Sequence, residues 1–305
     1  MNICQKKVVI FGGTGFIGTH LLRNLTAQPN LKVLWTKRPT TPLPDIPNLP
    51  APRQFENLET VSIDWISDAD VIIDLASSGR GRAISQRDVL SRVSPHLRII
   101  DGLLNVGSKA HYIFLSSGGA IYGNDDSVLL SETARCIPQT EYGLEKLIIE
   151  SALLCAAETT LTTSILRVSN AYGIGQTNKP GFGVIPTLVK SLEDGEVFKI
   201  FGSAHAKRDY VNVLDILRAI DATIKTGGAG IVNIATGKGT SIAQLIALLE
   251  ELTGRTVNVE HCEPLQNEPN FARLDISRAK NVLGWEPQVS LREGLAQLLK
   301  KTTLL

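Results

Sequence analysis

The chain has 305 residues, 43% hydrophobic and 20% charged, which is an ordinary globular composition with length for one large or two closely joined domains. A formal charge of +1 gives no global electrostatic case for nucleic acid or an anionic membrane as partner, so small molecules become the expected ligands. Cys4, Cys136, Cys155 and Cys262 are scattered without C-x-x-C or Cys/His ligand spacing, which argues for reduced thiols and against a structural zinc or other bound metal.

Residues 1–30 lack the charged start, apolar run and small-residue cleavage site of a secretion signal. No apolar run approaches the length that crosses a bilayer, and the protein is expected to be cytoplasmic and soluble.

In chain order, "KKVVIFGG", "LKVLW", "DVIIDLA", "HYIFLSS" and "TTSILRV" are short, nearly continuous apolar runs rich in Val, Ile, Leu or Phe. Runs of that kind read as strands buried on both faces. Between them, residues 17–27, 83–107 and 139–158 have helical patterns able to supply crossover helices. The pattern predicts an α/β fold, a doubly wound parallel sheet of Rossmann type. Residues 39–54 carry six prolines and no helical period, and are expected to form an extended surface connection.

After Arg167 the pattern changes to four helix-like stretches, "GVIPTLVKSLEDG", "VLDILRAIDATIK", "TSIAQLIALLEELTG" and "SLREGLAQLLKK", with strand candidates "FKIFG" and "IVNIAT" between them. Residues 1–168 are therefore expected to form the dinucleotide-binding domain. Residues 169–305 are expected to form a smaller mixed α/β substrate region, some of it packing back on the first. Ser241 with Gln244 and Ser290 with Glu293 have capping-box spacing and mark two helix starts.

The first chemical motif is Gly12, Gly13, Thr14, Gly15, Phe16, Ile17 and Gly18, between a strand and a helix. Glycines at 12, 15 and 18 permit a tight turn, approach of a pyrophosphate to backbone N–H groups, and close helix-to-strand packing. The second strand ends "LWTKRP", with no carboxylate to accept hydrogen bonds from the ribose hydroxyls of NAD. Lys37 and Arg38 stand there instead and suit the 2′-phosphate of NADP, so the cofactor is read as NAD(P), leaning to NADP. The bland alternative is a solvated pair at a strand end.

Tyr142 and Lys146 are four apart in a helical stretch and share a face. A phenol with a pKa of about 10 is a poor base near neutrality, and a neighbouring ammonium favours its ionised form. Such a tyrosine can take a proton from a substrate hydroxyl while hydride leaves the same carbon. The alternative is a half-buried aromatic beside a surface lysine.

Taken together, "GGTGFIG", "DVIIDLAS", "SSGGAIYG", "YGLEK", "LRVSNAYG", "RDYVNVLD" and "LDISRAKNVLGW" resemble the extended short-chain dehydrogenase/reductases, in particular the NAD-dependent epimerase/dehydratase branch of UDP-galactose 4-epimerase-like enzymes. The resemblance runs nearly end to end. It implies a nucleotide-sugar substrate, a homodimer, catalytic Tyr142 and Lys146, and a cofactor lined by Gly12, Thr14, Gly15, Phe16, Ile17, Gly18, Leu75, Ala76 and Ser77. A Ser or Thr usually stands four residues before the "YG" tyrosine; here Gly118 does, and Ser117 is the nearest hydroxyl to replace it. The competing account is that Ser116 and Ser117 only satisfy backbone groups.

Asn170 matches a sugar-nucleotide contact and Arg208 a diphosphate-binding arginine, a role that suits a guanidinium. The structural alternative for Arg208 is an ion pair with Asp209 or Asp215. Further departures are Leu265 where a second diphosphate arginine is common, Glu268 for an aspartate with Arg273 nearby, Asp74 for a histidine, and "VSPHLR" for an Asn-containing helix start. The implied activity is nucleotide-sugar epimerisation by transient hydride abstraction. The alternatives are an NADPH-dependent sugar ketoreductase and a non-catalytic NADP-binding sensor.

Overall fold

Val8 to Phe11 are four apolar residues in succession, and a strand of that composition is stable only where both its faces are covered. In the computed structural model, which describes residues 5–77, 86–123, 129–178, 183–264, 273–302 and 304, these four residues are fully buried. The first half of the chain runs β1 (Lys6–Phe11), α1 (Phe16–Thr26), β2 (Leu31–Lys37), β3 (Arg53–Gln54), α2 (Ile63–Ile66), β4 (Val71–Asp74), α3 (Gln86–Asn105), β5 (His111–Ser117), α4 (Gly118–Ile121), β6 (Leu129–Leu130), α5 (Glu141–Ala157) and β7 (Thr162–Val168). The three expected crossover helices are α1, α3 and α5.

The second half runs β8 (Asn170–Tyr172), α6 (Val184–Asp194), β9 (Phe198–Phe201), β10 (Lys207–Arg208), β11 (Tyr210–Asn212), α7 (Val213–Thr226), β12 (Gly230–Ile234), β13 (Thr240–Ser241), α8 (Ile242–Thr253), β14 (Val259–Cys262), β15 (Arg273–Leu274), α9 (Ser277–Leu283) and α10 (Leu291–Leu299). Both expected capping boxes form, Ser241 with Gln244 and Ser290 with Glu293.

Seven strands make one parallel sheet in the order β12-β7-β5-β4-β1-β2-β3. The chain winds outward from β1 through β2 in one direction and from β4 through β5 in the other. The crevice between the carboxyl ends of β1 and β4 is thus the switch point where such sheets bind ligands. One face is covered by α1, α7 and α9, through Leu21, Leu25, Ile220 and Leu283 among others. The other is covered by α3 and α5, through Val93, Leu103, Ile149 and Leu153.

The proline-rich segment is extended as expected. It is tied to β2 by the Trp35 indole N–H, which donates to the Pro50 carbonyl at 2.7 Å, and β3 then adds an edge strand. The run "IVNIAT" is placed by long-range pairing: β12 lies beside β7 in the main sheet, with Ile231 opposite Ile165. A third core of Ile185, Leu188, Leu245, Leu249 and Leu295 joins α6, α8 and α10. Among the described residues, no helix is long and apolar enough to cross a membrane.

Candidate active site

The turn after β1 is shaped by what glycine lacks. Gly12 has φ +77°, and a Cβ there would lie 2.8 Å from the Leu75 carbonyl carbon and 2.9 Å from the Ala76 nitrogen. A Cβ on Gly18 would run into the Gly12 carbonyl oxygen, so α1 sits directly on the turn. Gly15 is the N-cap of α1 without a side-chain cap, and Phe16 and Ile17 form its first turn. Thr14 is half-buried and Gly15 exposed. Backbone N–H groups at an uncapped helix start, with backbone packed this tightly behind them, suit a pyrophosphate. The residues present therefore fit a dinucleotide.

The two cations at the end of β2 part company. Lys37 is buried, and its ammonium donates to the carbonyls of Arg38 at 2.9 Å and Pro39 at 3.0 Å. Arg38 is exposed. Of the pair, only the guanidinium is turned outward, which corrects the expectation that both meet a 2′-phosphate.

α5 is capped by Thr140, whose hydroxyl accepts from the Gly143 N–H at 3.1 Å. That cap places Tyr142 in the first turn, half-buried, and Lys146 one turn on, 2% exposed. The lysine ammonium lies 5.7 Å from the Tyr142 ring centre and 4.5 Å from the Phe114 ring centre, and donates to the Ala76 carbonyl at 3.4 Å. The expectation of a surface lysine is thereby removed. A Cβ on Gly143 would strike the Ala120 carbonyl oxygen, so the end of "SSGGA" is pressed against the helix that carries Tyr142.

The two serines straddle the end of β5. Ser117 is its last residue and the N-cap of α4, buried, on the sheet face shared with Ile113 and Leu115. Ser116 shares the face of Tyr112 and Phe114, toward α3 and α5, and its buried hydroxyl has no hydrogen-bond partner among the described residues. The sequence singled out Ser117 by its place one residue before Gly118; strand alternation sets Ser116 on the opposite face.

Gly118 has no room for the usual hydroxyl residue, since a Cβ there would run into Leu274 Cδ1 and lie 3.2 Å from the Arg167 carbonyl. Gly119 is exposed and faces the Asn170 amide, whose Nδ2 would be 3.7 Å from an added Cβ. That amide donates to the Asp209 carbonyl at 3.0 Å.

Arg208, on β10 opposite Thr240, is half-buried. Neither aspartate engages it. Asp209 accepts from the Thr236 N–H and hydroxyl and the Gly237 N–H, at 2.9, 2.7 and 2.7 Å. Asp215 accepts from the N–H groups of Gln288 and Val289 and pairs with Arg218. Arg273 is exposed at the start of β15. Leu265 and Glu268 lie outside the described residues.

The "YG" tyrosine proves structural. The Tyr122 hydroxyl donates to Asn233 Oδ1 at 2.7 Å and accepts from Arg167 at 2.8 Å, while Arg167 also holds Glu150 at 2.7 Å. Burial pushes the Tyr122 phenol up to about 12, so it stays a neutral donor.

The fold has known counterparts. The sequence matches the NAD dependent epimerase/dehydratase family over residues 8–235. The chain belongs to that family. It is 29% identical to dTDP-4-dehydro-6-deoxyglucose reductase of Escherichia coli over 314 residues, covering 98% of each chain. It is similar in structure to UDP-glucose 4-epimerase of Thermotoga maritima, solved with UDP-glucose, at 30% identity and a TM-score of 0.86, covering 96% of this chain and 97% of that one. A structure solved with UDP-glucuronic acid and NAD matches at 26% identity and a TM-score of 0.85, covering 96% and 98%. The family's NAD-dependent enzymes therefore share this sheet, and the turn at Gly12–Gly18 lies at its switch point.

Proposed function

We propose that the protein is an NAD(P)-dependent nucleotide-sugar epimerase acting at C4 of the sugar. The observation that carries this reading is the placing of Tyr142 and Lys146 beside the end of β5 and against Ala76, the residue that backs the dinucleotide turn. Its support from known proteins is the likeness to a UDP-glucose 4-epimerase over 96% of this chain.

The turn at Gly12–Gly18 would hold the dinucleotide, which would supply reversible hydride acceptance. Tyr142 takes the proton of the C4 hydroxyl as hydride leaves that carbon, and gives the proton back after the keto-sugar has turned its other face. Lys146 holds its ammonium 5.7 Å from the centre of the Tyr142 ring. Ser117 donates to the sugar oxygen, the exposed Gly119 leaves space beside it, and Asn170 and Arg208 hold the nucleotide sugar, the guanidinium on the diphosphate. Residues up to 168 supply the cofactor end and segments after it the sugar end. One proton and one hydride leave and return, so no net redox change follows.

The lean to NADP rests on Arg38, since Lys37 is committed to carbonyls. We place the protein in the cytoplasm as a homodimer.

A second reading, a nucleotide-sugar ketoreductase, is favoured by the Escherichia coli relative and by Arg38. The two separate on incubation of purified protein with UDP-, dTDP- and GDP-sugars without added cofactor. Interconversion of two sugars supports the epimerase; turnover only with added NADPH and a keto-sugar supports the reductase.

A further inference from the structure

Behind Lys146 lies a buried charged layer that the mechanism has not used. Asp74 ends β4 with its carboxyl fully buried. Its Oδ2 accepts from the Tyr112 hydroxyl at 2.7 Å and stands 2.6 Å from His96 Nδ1 on α3. Its Oδ1 accepts from the Ala76 N–H at 3.0 Å. Ala76 is thus held by Asp74 through its N–H and by the Lys146 ammonium through its carbonyl. The Phe114 ring is shared by the same two sides: Lys146 lies 4.5 Å above it, and the His96 ring meets it edge-on at 6.2 Å.

Asp74 and the run "VSPHLR", which contains His96, are departures from the family pattern, and Asp74 and His96, 22 residues apart in sequence, are partners in space. Residue 76 also backs Gly12, so whatever fixes it fixes the spacing between the dinucleotide turn and Lys146.

We propose that Asp74, held by His96 and Tyr112, is a positioning group that sets the Ala76–Lys146 contact and the charge felt by the Tyr142 phenol. Burial alone pushes a carboxyl up, but His96, Tyr112 and Lys146 hold Asp74 below the usual carboxylate range, so it is ionised near neutrality. The titratable groups that act on it, among the described residues, are His96 from α3, Tyr112 from β5 and Lys146 from α5. Arg92 stands 3.4 Å from Glu141 and 4.0 Å from Glu145, and Glu145 is pushed up by burial against the pull of Lys146. Removing the Asp74 charge therefore leaves the layer more positive, which favours phenolate at Tyr142.

This proposal rests on Tyr142 as the acid–base group, but its test does not need turnover. The chain has five tyrosines, so protein labelled with carbon-13 at tyrosine Cζ gives five signals, and Tyr142→Phe assigns one of them. The other four phenols are all pushed up by burial, Tyr112 well above its ordinary value and Tyr122, Tyr172 and Tyr210 to about 12. In Asp74→Asn the Tyr142 transition is expected at lower pH by about half a unit. An unmoved transition in folded Asp74→Asn, or one moved upward, overturns the proposal.

His96→Asn keeps an N–H donor toward Asp74 and is expected to leave the transition and turnover near native. His96→Leu removes the donor and lets burial push Asp74 up toward its neutral form; it is expected to shift the transition in the same direction as Asp74→Asn, by no more than that variant does, and to lower kcat about tenfold at little-changed KM. Equal behaviour of the two His96 variants reduces the histidine to packing, and overturns the proposal even if Asp74→Asn fails to fold. An inactive native protein with the expected shifts instead contradicts the epimerase reading alone.

Discussion

At Tyr142 a single oxygen separates a working acid–base group from a packing ring. Tyr142→Phe removes that oxygen and little volume, and the cofactor end is built elsewhere, from the turn at Gly12–Gly18. Turnover is expected to fall between about a hundredfold and ten-thousandfold while copurified cofactor stays near native, measured by rate and by nicotinamide content of the same preparation. Native-like turnover removes Tyr142 from the chemistry. At the ribose end, Arg38→Ala is expected to weaken NADP by about tenfold or more and NAD by less than about twofold, read by calorimetry. Equal losses would sink the NADP assignment. Tyr142 and Lys146 were legible in the sequence because a helix makes residues four apart neighbours. Lys37 was not, because whether an ammonium turns outward or back onto nearby carbonyls is a local choice that leaves no periodic signal. Asp74 and His96 were visible only as oddities, since their contact is made by a strand and a helix meeting.

Among the elements, β5 and the short α4 meet β15 at one point, where Gly118 faces Leu274. Leu274 is 1% exposed and packed with Ile121, Tyr122, Leu130 and Ala235, so it has little space to yield. Gly118→Ala is expected to cost about 1–3 kcal/mol of unfolding free energy. Leu274→Ala combined with it should recover part of that cost, a favourable coupling of at least about 0.5 kcal/mol in a double-mutant cycle followed by urea unfolding. Strict additivity would contradict the contact. Gly118 therefore reads as a glycine required by packing, and the same packing bars the hydroxyl usual at that position. The sequence could not supply this, because Leu274 lies more than 150 residues away and its strand pairs with β6, another two-residue strand. The helices were easier: the caps at Ser241 and Ser290 are local signals, and both formed. β12 was legible as a strand and not as a neighbour of β7, since sheet order is set by long-range pairing.

Over the whole molecule, stability toward acid should be governed in part by His111, at the start of β5. Burial pushes its imidazole down to about 4, with Lys6 adding to the effect. A depressed histidine is neutral when folded and takes a proton when unfolded, so its contribution is fully present above the ordinary value near pH 6.5. That contribution is lost as pH falls from there to about 4, and amounts to about 3 kcal/mol. His111→Gln should flatten the dependence of unfolding free energy on pH across that window, measured by urea unfolding at a series of pH values; an unchanged slope would assign the loss to other groups. Hydride return at one carbon remains the central claim for the molecule as a whole. It is tested most directly with a nucleotide sugar carrying deuterium at C4, incubated with purified protein and no added cofactor, with the product analysed by mass spectrometry and NMR. Retention of deuterium at C4 of the inverted sugar, with no net change in nicotinamide absorbance, is the predicted result. Loss of the label to solvent, or product formation only with stoichiometric consumption of added NADPH, would contradict it.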